Sequence, residues 1–202
     1  IPLEHRRAIV RLDFNVPLDH NLTVTDATRI EAAVPTLKFL LDRCDRVVAM
    51  SHLGRPKGKK IDSMSLAPVA EALQTLLHVP LRFAPDCTGP EVQKLLSSTE
   101  PGQLLLLENL RFHPEEEVND HRFSRELSAL GDLYVNDAFG SAHRAHSSTE
   151  GITHFVKESV SGLLMEREIR YLQEMLRAPK RPFTAVLGGA KVSDKIELIG
   201  NL

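Results

Sequence analysis

The chain has 202 residues, of which 42% are hydrophobic and 26% are charged, and its formal net charge is -2. This composition is typical of a globular protein that is large enough for one good core, or for one domain and part of another. The balanced charge excludes bulk attraction to nucleic acid or to an anionic membrane, and apolar runs such as 104–107 are far too short to span a bilayer.

The sequence starts without Met and without the apolar segment of a signal peptide, and its two cysteines, Cys44 and Cys87, form no Cys-x-x-Cys pair. We therefore expect a reducing, cytoplasmic compartment and inert core thiols. At the other end, a strand pattern and the first turns of a helix, 192–202, have no neighbouring elements to cover them. We expect the sequence to be a fragment of a longer protein.

Short β-rich apolar segments alternate with longer amphipathic segments along the whole chain. The pattern predicts strands at 8–14, 46–51, 81–84, 103–108, 133–137 and 183–187. It predicts helices at 27–43, with Asp26 as N-cap and a kink or break at Pro35, and at 66–77 after Ser65, 90–96, 121–130 and 163–176. Such alternation is typical of a parallel sheet with helices on both faces.

We therefore predict an α/β fold in three parts. Residues 1–162 form a three-layer, Rossmann-like parallel-sheet lobe, and residues 163–180 form a connecting helix and hinge. Residues 181–202 are the incomplete start of a second α/β lobe.

Polar side chains follow the predicted strands at the points where the strands end. The carboxyl ends of parallel strands lie along one edge of the sheet, and this edge is where such folds bind ligands. The residues expected at this edge are Arg11, Asp13, Asn15, Arg29, His52, Arg55, Arg111, Arg144, His143 and His146. Guanidinium groups and helix N-termini both suit phosphate and carboxylate, so a small polyanion is the expected ligand.

Structural roles compete with ligand binding at several of these positions. Arg11 is equally consistent with an ion pair to Asp13 or Asp137. Asp13 and Asn15 could instead cap the following loop.

Three further charged groups are interpreted as structural. Glu108 is predicted to be a buried partner of an arginine rather than a catalytic acid. The lysines at 57–60 are expected in a solvated loop, and the acidic run 115–117 is expected on a solvated face or at a helix start.

The segment SAHRAH, 141–146, raises the alternative of a metal site because His143 and His146 lie three residues apart. Zinc would need a third ligand, and Asp137 is available nearby. Arg144 between the histidines would repel a cation, so we favour the anion site and assign no metal ligand. In this interpretation Arg144 is the centre of the segment and the histidines are positioning residues.

A strand at 183–187 is followed by two glycines, Gly188 and Gly189, and then by Lys191 and Lys195. The spacing is not that of a P-loop. Glycines still let a backbone approach phosphates, and two lysines four residues apart on a helix repel each other unless an anion lies between them. The alternative is a strand-to-helix turn with two exposed lysines.

With these residues assembled, the chain resembles the phosphoglycerate kinase family over nearly its whole length. The segments that carry the resemblance are RLDFNVPL (11–18), DATRIEAAVPTLKFLL (26–41), SHLGRPKGK (51–59), SLAPVAEAL (65–73), LLLLENLRFHPEEE (104–117), VNDAFGSAHRAHSST (135–149) and RPFTAVLGGAKVSDKI (181–196). They occur in the order in which the family has them.

The resemblance implies a glycolytic phosphotransferase that moves the acyl-phosphate of 1,3-bisphosphoglycerate to ADP, giving 3-phosphoglycerate and ATP. It implies a monomer of two lobes that close across a cleft. The first lobe would bind phosphoglycerate, and the second would bind Mg²⁺ with ADP or ATP through residues beyond Leu202. The fragment alone would then bind phosphoglycerate weakly and turn over little or nothing.

The resemblance also implies roles for individual residues. The substrate-binding residues would be Asp13, Asn15, Arg29, His52, Arg55, Arg111 and Arg144. Arg29 and Lys191 would be catalytic, since both would contact the transferring phosphoryl group. Lys191 and Lys195 would bind the nucleotide.

Two other functions remain open at this point. One is a non-catalytic module that binds a sugar phosphate or another anion. The other is nucleic-acid binding through the loop at 57–60, which the sequence disfavours because that loop lacks interleaved aromatic residues. We expect no nucleic-acid partner and no membrane partner.

Overall fold

A computed structural model describes residues 1–177 of the chain together with residues 181, 182, 184 and 186. The chain divides into two compact units, Ile1–Met165 and Glu166–Leu202. Within the described residues, no helix has both the length and the apolar character needed to cross a membrane. The predicted division at 162 and 180 remains a prediction.

The first unit contains a six-stranded sheet whose neighbouring strands all pair in parallel, in the order β3-β4-β2-β1-β5-β6. The strands are β1 Arg7–Arg11, β2 Arg46–Met50, β3 Leu81–Phe83, β4 Leu104–Leu106, β5 Leu133–Asn136 and β6 Glu158–Ser161. The helices are α1 Thr28–Leu41, α2 Ala67–Leu77, α3 Pro90–Ser97, α4 Pro114–Glu117, α5 His121–Ser128 and α6 Leu163–Arg177. The α/β class with a parallel sheet is therefore confirmed.

The core has two parts, which lie on opposite faces of the sheet. Val10 of β1 belongs to one cluster with residues of α1 and α2, such as Leu37 and Leu73. Ile9, the next residue along β1, belongs to the other cluster with residues of α3 and α5. Because successive side chains of a strand point to opposite faces, this division gives the three-layer arrangement expected from the sequence.

The connection order changes direction at β1, and this change positions the site. The chain passes from β1 to β2 on one side, whereas β5 pairs with the other edge of β1. Open α/β sheets bind ligands at such a switch point, outside the carboxyl ends of the strands. In this sheet the switch point lies between β1 and β5.

Three local predictions need correction. The helix α1 runs through Pro35 without a break, because the buried residues on both sides of the proline, including Ala33 and Leu37, pack into the core. The first strand ends at Arg11 rather than at residue 14. The strand β6 was not predicted, since its sequence ESVS is polar and mostly exposed at the sheet edge.

The predicted N-caps, Asp26 and Ser65, each lie one residue before the observed N-cap, which is Ala27 in α1 and Leu66 in α2. The Asp26 carboxylate accepts the backbone N–H of Thr28 at 2.9 Å, and the Ser65 hydroxyl accepts that of Ala67 at 3.1 Å. Each side chain therefore satisfies one of the free N–H groups at the start of its helix, α1 or α2.

Candidate anion-binding site

A cavity of about 290 Å³ lies at the carboxyl ends of β1, β2, β4 and β5. Its lining residues are Asp13, Asn15, Arg29, His52, Gly54, Arg55, Arg111, Gly140, Ser141 and Arg144. The structure thus brings together all seven residues that the resemblance implies for substrate binding. Four arginines face a single carboxylate, so the cavity suits an anionic ligand.

The segment after β1 positions the first group of side chains. Asp13 Oδ1 accepts the backbone N–H of Asn15 at 3.2 Å, and its Oδ2 accepts Arg29 Nη1 at 2.6 Å. The Asn15 side-chain oxygen accepts the backbone N–H of Gly54 at 2.8 Å. The loop-capping role considered for Asp13 and Asn15 is therefore present, and the same side chains also line the cavity.

Two of the four guanidinium groups have no counterion among the residues that the structure describes. Within the described part of the chain, the side chains of Arg55 and Arg144 have neither a hydrogen bond nor an ion pair. The cavity wall therefore holds two uncompensated positive charges close to the ion pair of Arg29. Such unpaired fork-shaped donors are well suited to an oxyanion.

Arg111 is held more rigidly than the other three arginines. Its side chain is 5% exposed, its Nη1 donates to the backbone oxygen of Gly54 at 2.8 Å, and its Nε lies 3.2 Å from Glu117 Oε1. Burial lowers the pKa of this guanidinium, Glu117 acts in the opposite direction, and Arg144 and Arg11 lower the pKa further. Even so, a guanidinium stays charged at neutral pH.

His52 contributes a neutral ring to the cavity wall. Burial lowers its pKa to about 2, and the charges of Arg11, Arg111 and Arg144 act in the same direction. Its Nδ1 lies 3.0 Å from Arg11 Nη2. His52 therefore acts as a hydrogen-bonding group and not as a cation or a base at neutral pH.

Three residues predicted at this edge do not line the cavity. Arg11 is 1% exposed and bonds Ser148, His52 and the backbone oxygen of Leu12, so it is a buried structural residue. Burial lowers the pKa of Arg11, and the charges of Glu116 and Asp13 act in the opposite direction. His143 is exposed, whereas His146 is buried, and burial followed by the Arg111 charge lowers the pKa of His146.

Two glutamates have environments that differ from the sequence-based interpretation. The acidic run 115–117 lies in the first turn of α4, which was one of the two expected locations, but Glu116 within it is 0% exposed and its neighbour Glu117 pairs with Arg111. Glu108 is buried as predicted, but its carboxylate accepts Ser65 Oγ and the backbone N–H of Leu66 at the start of α2 instead of pairing with an arginine.

Gly54, Gly140 and Ser141 also line the cavity but were not predicted as site residues. A side chain at Gly140 would place a Cβ 2.8 Å from Asp13 Oδ2, so glycine leaves the space that the Asp13 carboxylate occupies. Gly140 lies four residues after the end of β5, in the segment NDAFGS, and this position was the available signal. Lys191 and Lys195 lie outside the described residues.

One group of possible metal ligands lies away from the cavity, formed by Asp86, Cys87 and His113. His113 Nε2 lies 2.6 Å from Asp86 Oδ1, and the Cys87 thiol donates to the backbone oxygen of Glu108 at 3.0 Å. Burial raises the pKa of Cys87 well above its usual value. A buried thiol that already has an acceptor has a structural role, so we assign no metal to this group.

The sequence matches the family model for phosphoglycerate kinase over residues 1–202. The chain belongs to the phosphoglycerate kinase family. It is 55% identical over 202 residues to the phosphoglycerate kinase of Chlorobium luteolum and 54% identical to that of Moorella thermoacetica. Each alignment covers 100% of this chain and 51% of the relative, so the chain spans about half the length of these phosphoglycerate kinases.

Solved structures of the same family show the same fold. The phosphoglycerate kinase of Coxiella burnetii superposes with a TM-score of 0.84 at 38% identity, over 99% of this chain and 50% of the other. The enzyme from Pyrococcus horikoshii also gives a TM-score of 0.84, at 30% identity, over 98% of this chain and 50% of the other.

Proposed function

We propose that the protein to which this chain belongs is a phosphotransferase of glycolysis. It would move the acyl-phosphate of 1,3-bisphosphoglycerate to ADP and give 3-phosphoglycerate and ATP, reversibly. This chain would supply the lobe that binds phosphoglycerate. The observation that carries the proposal is the cavity at the sheet's switch point, where four arginines surround a space with one carboxylate.

For this reaction the protein mainly has to align the two substrates and supply positive charge. Phosphoryl transfer passes through a loose transition state whose charge is spread over oxygen atoms, so fixed cations supply most of the catalysis. Arg29, oriented by Asp13, is the residue that we assign to the transferring phosphoryl group. Arg55, Arg111 and Arg144 would hold the remaining anionic groups of the substrate.

No general base is needed in this reaction. In the direction that consumes ATP the attacking group is the carboxylate of 3-phosphoglycerate, which is ionised at neutral pH, and in the opposite direction it is an anionic phosphate oxygen of ADP. This agrees with the environment of His52, because a ring whose pKa is lowered to about 2 cannot take up a proton at neutral pH. His52 would instead donate a hydrogen bond to the substrate.

The residue assignments for the nucleotide half of the site depend only on the resemblance to the phosphoglycerate kinase family. Lys191 would stabilise the phosphoryl group in flight, and Lys191 and Lys195 would contact the nucleotide phosphates. Mg²⁺ would bind with ADP or ATP through residues beyond Leu202. The 202-residue chain would therefore bind phosphoglycerate but give little or no turnover.

A titration of the chain with 3-phosphoglycerate by calorimetry tests the substrate assignment. Arg29→Ala and Arg144→Ala should each weaken binding at least about tenfold, since each removes a charged hydrogen-bond donor. Arg122→Ala is the matched control, because the Arg122 side chain is 86% exposed on α5 and pairs only with Glu126 among the described residues. Equal affinity in all four proteins would overturn the proposal.

A coupled ATP assay on the full-length protein tests catalysis separately. Turnover of 3-phosphoglycerate and ATP supports the kinase. Substrate binding without turnover in the full-length protein would instead show the alternative function, a non-catalytic sugar-phosphate or anion-binding module.

We further propose that the full-length protein is a cytoplasmic monomer. Both cysteines are free and buried, which is consistent with a reducing compartment. Light scattering of the full-length protein during size-exclusion chromatography measures its mass directly, and fractionation of the source cells tests its location.

A further inference from the structure

A continuous series of hydrogen bonds runs behind the cavity from Glu116 to His52. Glu116 is 0% exposed, and its carboxylate accepts Ser148 Oγ at 2.5 Å and the Ser148 backbone N–H at 3.0 Å. The Ser148 hydroxyl accepts Arg11 Nε at 2.9 Å, and Arg11 Nη2 lies 3.0 Å from His52 Nδ1. Only His52, at the end of this series, lines the cavity.

The donor inventory of these groups decides which nitrogen of His52 carries the proton. A guanidinium can donate hydrogen bonds but cannot accept them, so Nδ1 must use its lone pair toward Arg11. The ring is neutral at physiological pH, since burial and the neighbouring arginines lower its pKa to about 2. The single ring proton is therefore on Nε2, and within the described residues Nε2 has no hydrogen-bond partner.

The same bonds explain why Arg11 is a buried residue and not a ligand contact. Arg11 is 1% exposed, and its guanidinium bonds Ser148, His52 and the backbone oxygen of Leu12. Glu116 supplies the compensating negative charge through the bridging hydroxyl of Ser148. Tyr134 Oη holds Ser148 from the other side by donating to its backbone oxygen at 2.8 Å.

We propose that Glu116, Ser148 and Arg11 are positioning residues that hold His52 as the neutral Nε2–H tautomer, so that the ring donates one hydrogen bond to an oxygen of the anionic ligand. The identity of that ligand as 3-phosphoglycerate rests on the function proposed above. The tautomer itself depends only on the protein.

The double variant Arg11→Met with Glu116→Gln tests this role without changing the net charge behind the cavity. Nitrogen NMR of the histidine-labelled chain distinguishes a ring N–H from a ring nitrogen with a lone pair. We expect His52 to be the Nε2–H form in the parent chain and a mixture of tautomers in the double variant. Affinity for 3-phosphoglycerate should fall about tenfold, the size expected for one misdirected hydrogen bond.

Ser147→Ala is the matched control, because Ser147 is equally buried but its hydroxyl donates to the backbone oxygens of Glu115 and Asp120 and not to the side chains of this series. It should leave the tautomer and the affinity unchanged. If the double variant keeps the parent tautomer and affinity, the three residues have only a structural role and the proposal is wrong.

A second variant covers the case in which the double variant does not fold. Ser148→Ala removes only the bridging hydroxyl and should cause a smaller change in both the His52 tautomer and the affinity for 3-phosphoglycerate. If Ser148→Ala folds and keeps the parent tautomer and affinity, the proposal is also wrong. If the parent chain does not bind 3-phosphoglycerate, the proposed substrate is wrong, but the tautomer measurement still decides the positioning role.

Discussion

Arg29 Nη1 lies 2.6 Å from Asp13 Oδ2, and this ion pair fixes the direction of a guanidinium whose side chain is 53% exposed at the cavity. Asp13 is the better shielded partner, with 15% of its side chain exposed. The carboxylate therefore has two opposite effects on an anionic ligand: it orients one arginine, and it repels the ligand directly.

Asp13→Asn separates these two effects. We expect affinity for 3-phosphoglycerate to fall about tenfold, because a ligand of defined shape needs an oriented Arg29. Affinity for inorganic phosphate should stay equal or rise, since phosphate responds mainly to the net positive charge of the cavity. Calorimetry with both ligands at one ionic strength measures the two responses.

Asp62→Asn provides the control for this prediction, since Asp62 is exposed and does not line the cavity. It should leave both affinities unchanged. A parallel fall for both ligands in Asp13→Asn would show that Asp13 supports the cavity as a whole and does not act through the direction of Arg29.

Glu108 is predicted to be important for stability through the start of α2. Its carboxylate accepts Ser65 Oγ at 2.8 Å, the backbone N–H of Leu66 at 2.9 Å and that of Asn109 at 2.8 Å. Glu108→Ala leaves these donors without their acceptor in a buried region, which should lower the free energy of unfolding by about 2 kcal/mol or more.

Urea unfolding of the chain measures this effect. Glu71→Ala is the control, because Glu71 is exposed on the same helix and should change the free energy of unfolding by less than about 0.5 kcal/mol. Equal stability of the two variants would show that α2 does not need the Glu108 carboxylate.

The positions of the site residues could be predicted from the sequence because they follow from a general rule. Asp13, His52, Arg111 and Arg144 each come shortly after an apolar strand, and in a parallel sheet those strand ends meet at one edge. The alternation of strands and helices was sufficient to predict this sheet. The rule needs no knowledge of distant contacts.

The environments of the neighbouring charges could not be predicted in the same way. Arg11 and Glu116 both hydrogen-bond to the hydroxyl of Ser148, which lies 137 residues from the first and 32 from the second along the chain. The local pattern around Glu116 is an acidic run, which predicts a solvated face or a helix start but not the burial of one of its carboxylates. Only the folded chain shows that one of its carboxylates lies beneath the cavity.

The two cysteines are expected to resist thiol reagents in the folded chain. Burial raises the pKa of Cys44 to about 11 and that of Cys87 well above its usual value, and the thiolate is the reactive form. At pH 8 we expect almost no reaction with Ellman's reagent in buffer and two equivalents per chain in guanidinium chloride. Rapid reaction of one thiol in buffer would show that the region around it opens readily.

The pKa of His52 predicts how stability depends on pH. Its folded pKa, about 2, is far below the ordinary histidine pKa of 6.5, so the unfolded chain binds the additional proton between these two pH values. The neutral ring therefore contributes its full amount to the free energy of unfolding above pH 6.5, and this contribution is lost as the pH falls. By pH 5 the loss should reach up to about 2 kcal/mol. His146, whose pKa is also lowered, adds to the loss, whereas the raised pKa of Glu116 opposes it.

His52→Gln should make the stability of the chain less sensitive to acid. The amide does not titrate, and its oxygen can still accept a hydrogen bond from Arg11. We therefore expect the fall in unfolding free energy between pH 7 and pH 5, measured with urea, to be smaller in His52→Gln than in the parent chain. His20→Gln, at an exposed position, should show the parent fall. An equal fall in all three proteins would mean that His52 is already protonated in the folded chain at pH 5, in conflict with its burial beside Arg11.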